Sequence, residues 1–493
     1  MQMWYEKIIT LIEDLNVDVL FVIDPTHLID YQDIKNKISE KYYICTFENE
    51  IRLRRILREN FTNLMIVFND KEALPYDLLS NHAQIKIGPS DIFPYLNEEI
   101  VSSISFNDYQ KIYRHYLKKK DDFFEQLSKK DTETFLKNMA LTEDDSKYKA
   151  YELTEQLKKQ SFNINSSNWG KIANIYGEIM YLVHKNNLSL EIDDLINKIQ
   201  SEFIKFILND YEDLTFDTKS HLNSNLLNII KIDEKIALIC FDCMGFEEWQ
   251  VIYEYLKENT NLEFDVKYSF SILPSETGYS RGALFSGLVP LEIPEKKSNL
   301  RIEEELFKEA LSNHNIDEND VYFNRFSKPD EVPEDYAFED YEALGIIFSF
   351  VDEIVHNKLM DKNLLINSME TLLRNSKLDM FLDSLVQKGF KVYLCSDHGN
   401  IFSQGNGINV PKKLVNEKAL RYLISEHKNI LKEYKDENSI IIQFKKIMGE
   451  EYILLMTGNS MLGREKNSRL THGGISIEEV VLPFIEVKSN ERI

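Results

Sequence analysis

A chain of 493 residues is longer than one ordinary hydrophobic core supports, and length alone suggests about three domains. Its 58 basic and 82 acidic residues leave a formal charge of −24, which excludes a surface that grips nucleic acid along its whole extent but not a local basic groove. Four cysteines, Cys45, Cys240, Cys243 and Cys395, give no disulfide framework, and no apolar run approaches the ~18–20 residues that span a membrane, so a cytoplasmic protein is expected.

The first segment, to about residue 100, reads as a small α/β layer domain. Helical periodicity near 3–15, without the apolar core or cleavage site of a secretion signal, comes before an apolar strand at 17–23. A helix from about 31, a strand at 42–47, a helix around 49–59 and strands at 64–68 and 85–87 continue the alternation. A phospho-receiver domain is the competing reading. A receiver needs paired acids after its first strand, however, and this strand offers Asp24 alone.

Residues 101–232 carry helical periodicity, many Lys and Glu, and almost no strand signal, so a helical linker domain is expected. The lysine-rich stretch 117–122 and Lys129-Lys130-Asp131 read as solvated helix faces, with a track for a phosphate backbone as the alternative. No Gly-rich phosphate loop, zinc-finger spacing, heptad array or internal repeat is present.

From 233 to 493 the pattern changes to apolar runs that each deliver polar residues at a carboxyl end, where an open α/β sheet collects its ligands. Ile236–Phe241, apolar throughout as a strand buried on both faces should be, delivers Asp242 just before a helical stretch. A second run ends at Leu273 and is followed by Pro274-Ser-Glu-Thr-Gly-Tyr-Ser-Arg281, which places Thr277 in a turn opening a short helix. The free N–H groups there suit a phosphate held over that hydroxyl. The run 344–351 leads into Asp352 and His356, which share a face if a helical turn begins there and so can reach one metal. The run 392–396 ends in Asp397-His398-Gly399-Asn400. An insertion at about 400–450 contains Lys412-Lys413 and a polar helix expected around 414–435, and it is expected to form one wall of the cleft. Thr471-His472-Gly473-Gly474 and an apolar run at 480–487 close the chain.

Asp242, Thr277, Asp352, His356, Asp397, His398 and His472 together read as the ligand set of a two-metal phosphohydrolase. Imidazole with carboxylate suits zinc and its neighbours, manganese among them. Three aspartates and an ionised threonine supply four negative charges, enough to balance two divalent cations. Two metals about 3.5–4 Å apart stabilise both the attacking and the leaving oxygen of an in-line displacement at phosphorus. A threonine hydroxyl is a poor nucleophile until metal coordination favours its alkoxide. Ser275 competes with Thr277 for that role. Cys240 and Cys243 form a C-x-x-C, but with no second such pair they read as structural filling and not as a redox or zinc motif.

The order and context of these residues resemble the alkaline phosphatase superfamily, and the block around Thr277 resembles the nucleophile segment of its nucleotide pyrophosphatase/phosphodiesterase branch. Ser396-Asp-His-Gly-Asn400 and His472-Gly-Gly-Ile-Ser-Ile-Glu-Glu-Val-Val-Leu-Pro-Phe484 are most similar to the PglZ domain of BREX-type phage-defence loci. The resemblance covers 233–493 and, more loosely, the N-terminal segment through Asp24-Pro25, Glu48 and Arg52. It implies an alkaline-phosphatase-like α/β domain with a mostly parallel central sheet, preceded by the helical region and the small α/β domain. It also implies Thr277 as nucleophile, one metal at Asp242, Thr277, Asp397 and His398, and the other at Asp352, His356 and His472. Arg281, four residues after the nucleophile, is expected to contact a non-bridging phosphate oxygen.

Two function classes follow. The first is a hydrolase that uses two divalent cations, zinc or manganese, on phosphodiesters of nucleotides, oligonucleotides or nucleic-acid ends. The second is an assembly component of a defence complex, bound to other defence proteins, with a signalling protein of response-regulator type as a variant. The sequence leaves the oligomeric state open, a homodimer included.

Overall fold

The structure, a computed structural model, describes residues 3–489 except 60–61, 70–75, 80, 121–122, 124, 138–142, 163, 166, 233, 295–298, 332–337, 358–359, 412–413, 415 and 417. Two compact units divide the chain, Met1–Asp145 and Ser146–Ile493. The helical segment is shared between them: Phe106–Lys119 and Lys129–Lys137 belong to the first unit, Trp169–Asn186 and Asp193–Asn209 to the second. Of the lysine-rich sequences, 121–122 and 412–413 lie outside the described residues. Among the described residues, no helix is long and apolar enough to cross a membrane.

In the first unit, β1 (Val19–Ile23), β2 (Tyr43–Thr46), β3 (Leu64–Phe68) and β4 (Ala83–Lys86) form a parallel sheet in the order β2-β3-β1-β4. Successive side chains of β1 point to opposite faces, so Leu20 and Val22 enter one core with Trp4 and Tyr109 while Phe21 enters another with Leu53 and Phe68. This double burial explains why the strand reads as a continuous apolar run. The receiver alternative is not met, because a receiver sheet winds in the order 2-1-3 whereas β3 here lies between β2 and β1. Asp24 is buried and accepts hydrogen bonds from the Ile29 amide (2.8 Å) and the Thr26 hydroxyl (3.3 Å), which fixes the turn after β1.

The second unit is built on a six-stranded sheet. Its strands are β5 (Ile236–Phe241), β6 (Leu262–Phe270), β7 (Val321–Phe326), β8 (Ala343–Phe348), β9 (Lys391–Cys395) and, after an interruption, β16 (Val481–Ser489). The order is β6-β16-β9-β5-β8-β7, parallel except that β16 runs against both of its neighbours. β5 lies at the centre. Its Ala237, Ile239 and Phe241 fill one core and its Ile236, Leu238 and Cys240 the other. Full burial of each large apolar side chain contributes about 1.5–3 kcal/mol, so this strand anchors whatever stands at its carboxyl end.

Between β9 and β16 the chain leaves the sheet and builds two three-stranded sheets. β10 (Ile401–Gly405), β14 (Ser460–Met461) and β15 (Ser468–Thr471) form one; β11 (Tyr422–Ser425), β12 (Ser439–Ile442) and β13 (Tyr452–Met456) form the other. Among the described residues of 414–435 the expected polar helix is therefore not there, apart from the five residues Lys428–Lys432. The cause is tertiary: β13 is buried along most of its length, and the edges of that apolar strand recruit β11 and β12 with Leu423 opposite Leu454.

Candidate metal centre

Four of the central strands end where the expected ligands begin. Asp242 follows β5, with its amide donating 2.9 Å to the Phe348 carbonyl of β8. Asp352 lies on the helix Phe350–Val355 just after β8, and His356 caps that helix. Asp397 and His398 follow β9, and Thr277 begins the helix Thr277–Ser286 beyond β6. His472 follows β15, whose Thr471 pairs with Ile401 at the start of β10. That pairing closes the inserted segment on itself and brings the rings of His398 and His472 to 4.2 Å, stacked.

Among the described residues, two groups of side chains present ligand atoms close enough to hold a metal ion. One is Asp242, Asp397 and His398; the other is Asp352, His356 and His472. In the first, His398 Nε2 lies 3.8 Å from Asp242 Oδ1 and 3.9 Å from Asp397 Oδ2, and 2.9 Å from Thr277 Oγ1. In the second, His356 Nε2 is 2.8 Å from Asp352 Oδ1, as the four-residue spacing predicts.

The hydrogen bonds leave these atoms aimed inward. His398 Nδ1 faces the Gly399 carbonyl at 3.0 Å and His472 Nδ1 faces the Ser275 carbonyl at 3.2 Å. A carbonyl only accepts, so both rings carry the proton on Nδ1 and turn a lone pair at Nε2 toward the site. Asp242 Oδ1, Asp397 Oδ2, His356 Nδ1 and His472 Nε2 are buried without a hydrogen-bond partner, and Asp352 Oδ1 meets only the His356 ring. Buried polar atoms are ordinarily satisfied, and four exceptions on the residues of two clusters of hard and borderline ligands fit a pair of divalent cations.

The charges agree. Burial and then the Asp397 charge push the Asp242 carboxyl well above the usual carboxylate range, a cost that a bound cation relieves. Burial alone would raise Asp352 too, but the adjacent His356 overrides it and holds that carboxyl below its ordinary value. Burial followed by the charge of His398 drives His472 well below the ordinary imidazole value, which keeps it neutral and ready to ligate.

Several groups that the sequence did not reveal hold this edge in place. Asn223 donates to the carbonyls of Ser396 and Asp397, 3.1 Å each, and the Ser271 hydroxyl donates 2.7 Å to the second of these. Cys243 is held in a left-handed conformation, φ 70°, by its amide donating to Asp397 Oδ1 (3.2 Å) and by Asn400 Nδ2 donating to its carbonyl (3.1 Å). A bulky residue there costs free energy that the surrounding bonds must offset. Cys240 and Cys243 are buried free thiols outside both clusters, in agreement with structural filling. Glu479 joins Arg421, from the inserted segment, to the His472 loop: its Oε1 accepts from Arg421 Nε (2.9 Å) and from the Gly474 amide (2.8 Å). Ser275 is fully buried with its hydroxyl donating 2.9 Å to the Gly474 carbonyl, so the hydroxyl that faces the ligand clusters is that of Thr277.

Arg281 does not take the place expected for it. It is fully buried, with Nη1 hydrogen-bonded to Asp242 Oδ2 and Nε donating 3.1 Å to Glu303 Oε1. Asp242 and Glu303 occupy the guanidinium, so in this structure Arg281 braces a carboxylate of the first cluster.

A mostly parallel sheet with Asp and His ligands and a threonine along its carboxyl edge defines an alkaline-phosphatase-like domain. The sequence matches the family described as the BREX system PglZ alkaline phosphatase-like domain over residues 222–487, and the chain belongs to that family. No curated protein matches it in sequence. Among solved structures it is similar to murine ectonucleotide pyrophosphatase/phosphodiesterase 5, an inactive variant in complex with AMP, at 10% identity and TM-score 0.35, over 51% of this chain and 88% of that one. The human counterpart aligns at 11% identity and TM-score 0.34, over 51% and 87%.

Proposed function

We propose that the second unit is a metal-dependent phosphodiesterase with Thr277 as nucleophile. The observation that carries this reading is the gathering of buried carboxylates and imidazoles in two clusters, four of their polar atoms without a partner, with the Thr277 hydroxyl 2.9 Å from His398 in the first. Divalent cations bound there supply Lewis acidity, which lowers the cost of ionising the threonine and neutralises charge building on the phosphoryl oxygens.

The residues of the chain do the rest. Thr277 Oγ1 forms a bond to phosphorus as the bond to the leaving oxygen breaks, and hydrolysis of the phosphothreonine by water regenerates the hydroxyl. The Glu276 carboxylate accepts the Gly278 amide at 2.8 Å and so fixes the helical turn on which Thr277 stands. A diester is the favoured substrate class because the block around Thr277 resembles the nucleophile segment of the nucleotide pyrophosphatase/phosphodiesterase branch. Nucleotide or nucleic-acid phosphodiesters in a phage-defence setting, beside other proteins of a BREX system, are the substrate and partner classes that this family membership favours.

The test is turnover of bis(p-nitrophenyl) phosphate and labelled oligonucleotides after loading with Zn²⁺ or Mn²⁺. Thr277→Ala should lower the rate by about 10³-fold or more, as loss of a nucleophile does. Equal background in the two proteins would sink the enzyme reading and leave the fold as an assembly component. His472→Ala should separately lower bound metal by about one equivalent in elemental analysis, since it removes one of the three ligands of its cluster. Retention of both equivalents would remove His472 from the ligand set.

A further inference from the structure

Arg281 is engaged by Asp242 and Glu303, and the inserted segment carries another cation to the edge of the second cluster. Lys418 Nζ lies 3.9 Å from Asp352 Oδ2, and the lysine side chain remains 67% exposed. Its backbone, by contrast, is pinned on both sides to neighbours of the site. The Lys418 amide donates 3.0 Å to Asn416 Oδ1, and Asn416 Nδ2 donates 3.1 Å to Glu276, the residue before Thr277. The Thr471 hydroxyl, next to His472, donates 3.2 Å to the Lys418 carbonyl and accepts the Leu420 amide at 3.1 Å.

We propose that Lys418 is the phosphoryl-binding cation of this site, contacting a non-bridging oxygen of a phosphodiester on the Asp352–His356–His472 side. The inference rests on the phosphodiesterase reading above and names the residue that receives its substrate. An ion pair at 3.9 Å from a lysine that is two-thirds exposed contributes little and by itself gives no reason to tether the backbone so closely. Asp352, His356 and His472 would hold a divalent cation that balances the Asp352 charge, and the Lys418 ammonium would then be available to an anion. The flexible lysine stem then carries a point charge to an anion arriving over the cluster. A charge-assisted hydrogen bond to one phosphoryl oxygen follows, with no bond made or broken at the lysine.

The experiment compares Lys418→Ala, Lys418→Arg and the parent protein, all loaded with Zn²⁺. Inorganic phosphate is titrated by calorimetry, and bis(p-nitrophenyl) phosphate turnover and bound metal are measured in parallel. Lys418→Ala should weaken phosphate binding and lower kcat/KM by roughly 10–100-fold with metal content unchanged, while Lys418→Arg stays within a few-fold of the parent. Unchanged phosphate affinity in Lys418→Ala overturns the proposal. So does a loss of affinity that tracks a loss of metal, because the lysine then acts through Asp352. Failure of the phosphodiesterase reading itself shows differently, as absence of Thr277-dependent turnover in the parent, and leaves the phosphate titration to decide on Lys418.

Discussion

Arg281→Met is expected to destabilise the metal-free second unit by about 3–5 kcal/mol, the range for breaking one partner out of a buried ionic network. Arg281 meets Asp242 and Glu303 directly and has Asp397 Oδ2 at 3.9 Å, all of them buried. The guanidinium is favoured so strongly by Asp242 and Glu303 that its pKa rises above the ordinary value even though burial opposes it. Methionine fills much of the volume but leaves those carboxylates facing one another without a counter-charge. Thermal unfolding in EDTA should show a fall of roughly 5–10 °C. Zn²⁺ should then recover more stability in the variant than in the parent, because a cation beside Asp242 and Asp397 replaces part of the missing charge. An unfolding temperature in EDTA equal to that of the parent would show that the network contributes nothing to folding.

Gly399→Ala should be nearly as costly, for a steric reason. A Cβ at this position would stand 1.9 Å from the carbonyl oxygen of Glu478 and 3.3 Å from the Cα of Gly245, both backbone atoms. Neither can swing aside as a side chain would. The Gly399 amide also donates 3.0 Å to the Glu479 carbonyl, and its own carbonyl receives His398 Nδ1. An added methyl group must therefore push the Asp397–His398 turn away from the segment after His472 and pull the two clusters apart. The expected cost is about 3 kcal/mol, the upper end for overpacking, together with loss of tight metal binding. A melting curve and elemental analysis of the purified variant check both at once. A variant that unfolds with the parent and binds the same metal would show that this contact yields easily.

What was legible beforehand follows from how local each signal is. β5 and β9 were readable because strands buried on both faces must be apolar at nearly every position, and Asp242 and Asp397 stand immediately beyond them. Asp352 and His356 were readable because helical geometry fixes residues four apart on one face. Arg281 was misjudged for the opposite reason. Its partner Glu303 lies in Leu300–Ser312, a helix with several other acidic residues, and nothing in the sequence marks which one turns inward. Arg421 and Glu479 meet across the inserted segment in the same unannounced way. Asn223 lies before the expected domain start at 233, yet its side chain holds the Asp397 turn. Within the inserted segment, β11 looked helical because its charged flanks dominate the sequence pattern, whereas the apolar edge of β13 decides the outcome.

The ladder that pairs Ile401 with Thr471 has a further meaning. It clasps the two ends of the inserted segment together at the level of the metal ligands, while Phe444, Ile447, Ile453 and Leu455 between them seat the segment in the main core. The clasp and the seating of the segment together position the His472 loop, the second through Glu479, which joins Arg421 to the Gly474 amide. An exchange of this segment for that of another family member replaces Lys418 and the wall around it as one piece, provided that Arg421 and the apolar residues seated in the core are kept. The same chemistry could then be presented with a different opening, by exchange of one contiguous stretch of chain.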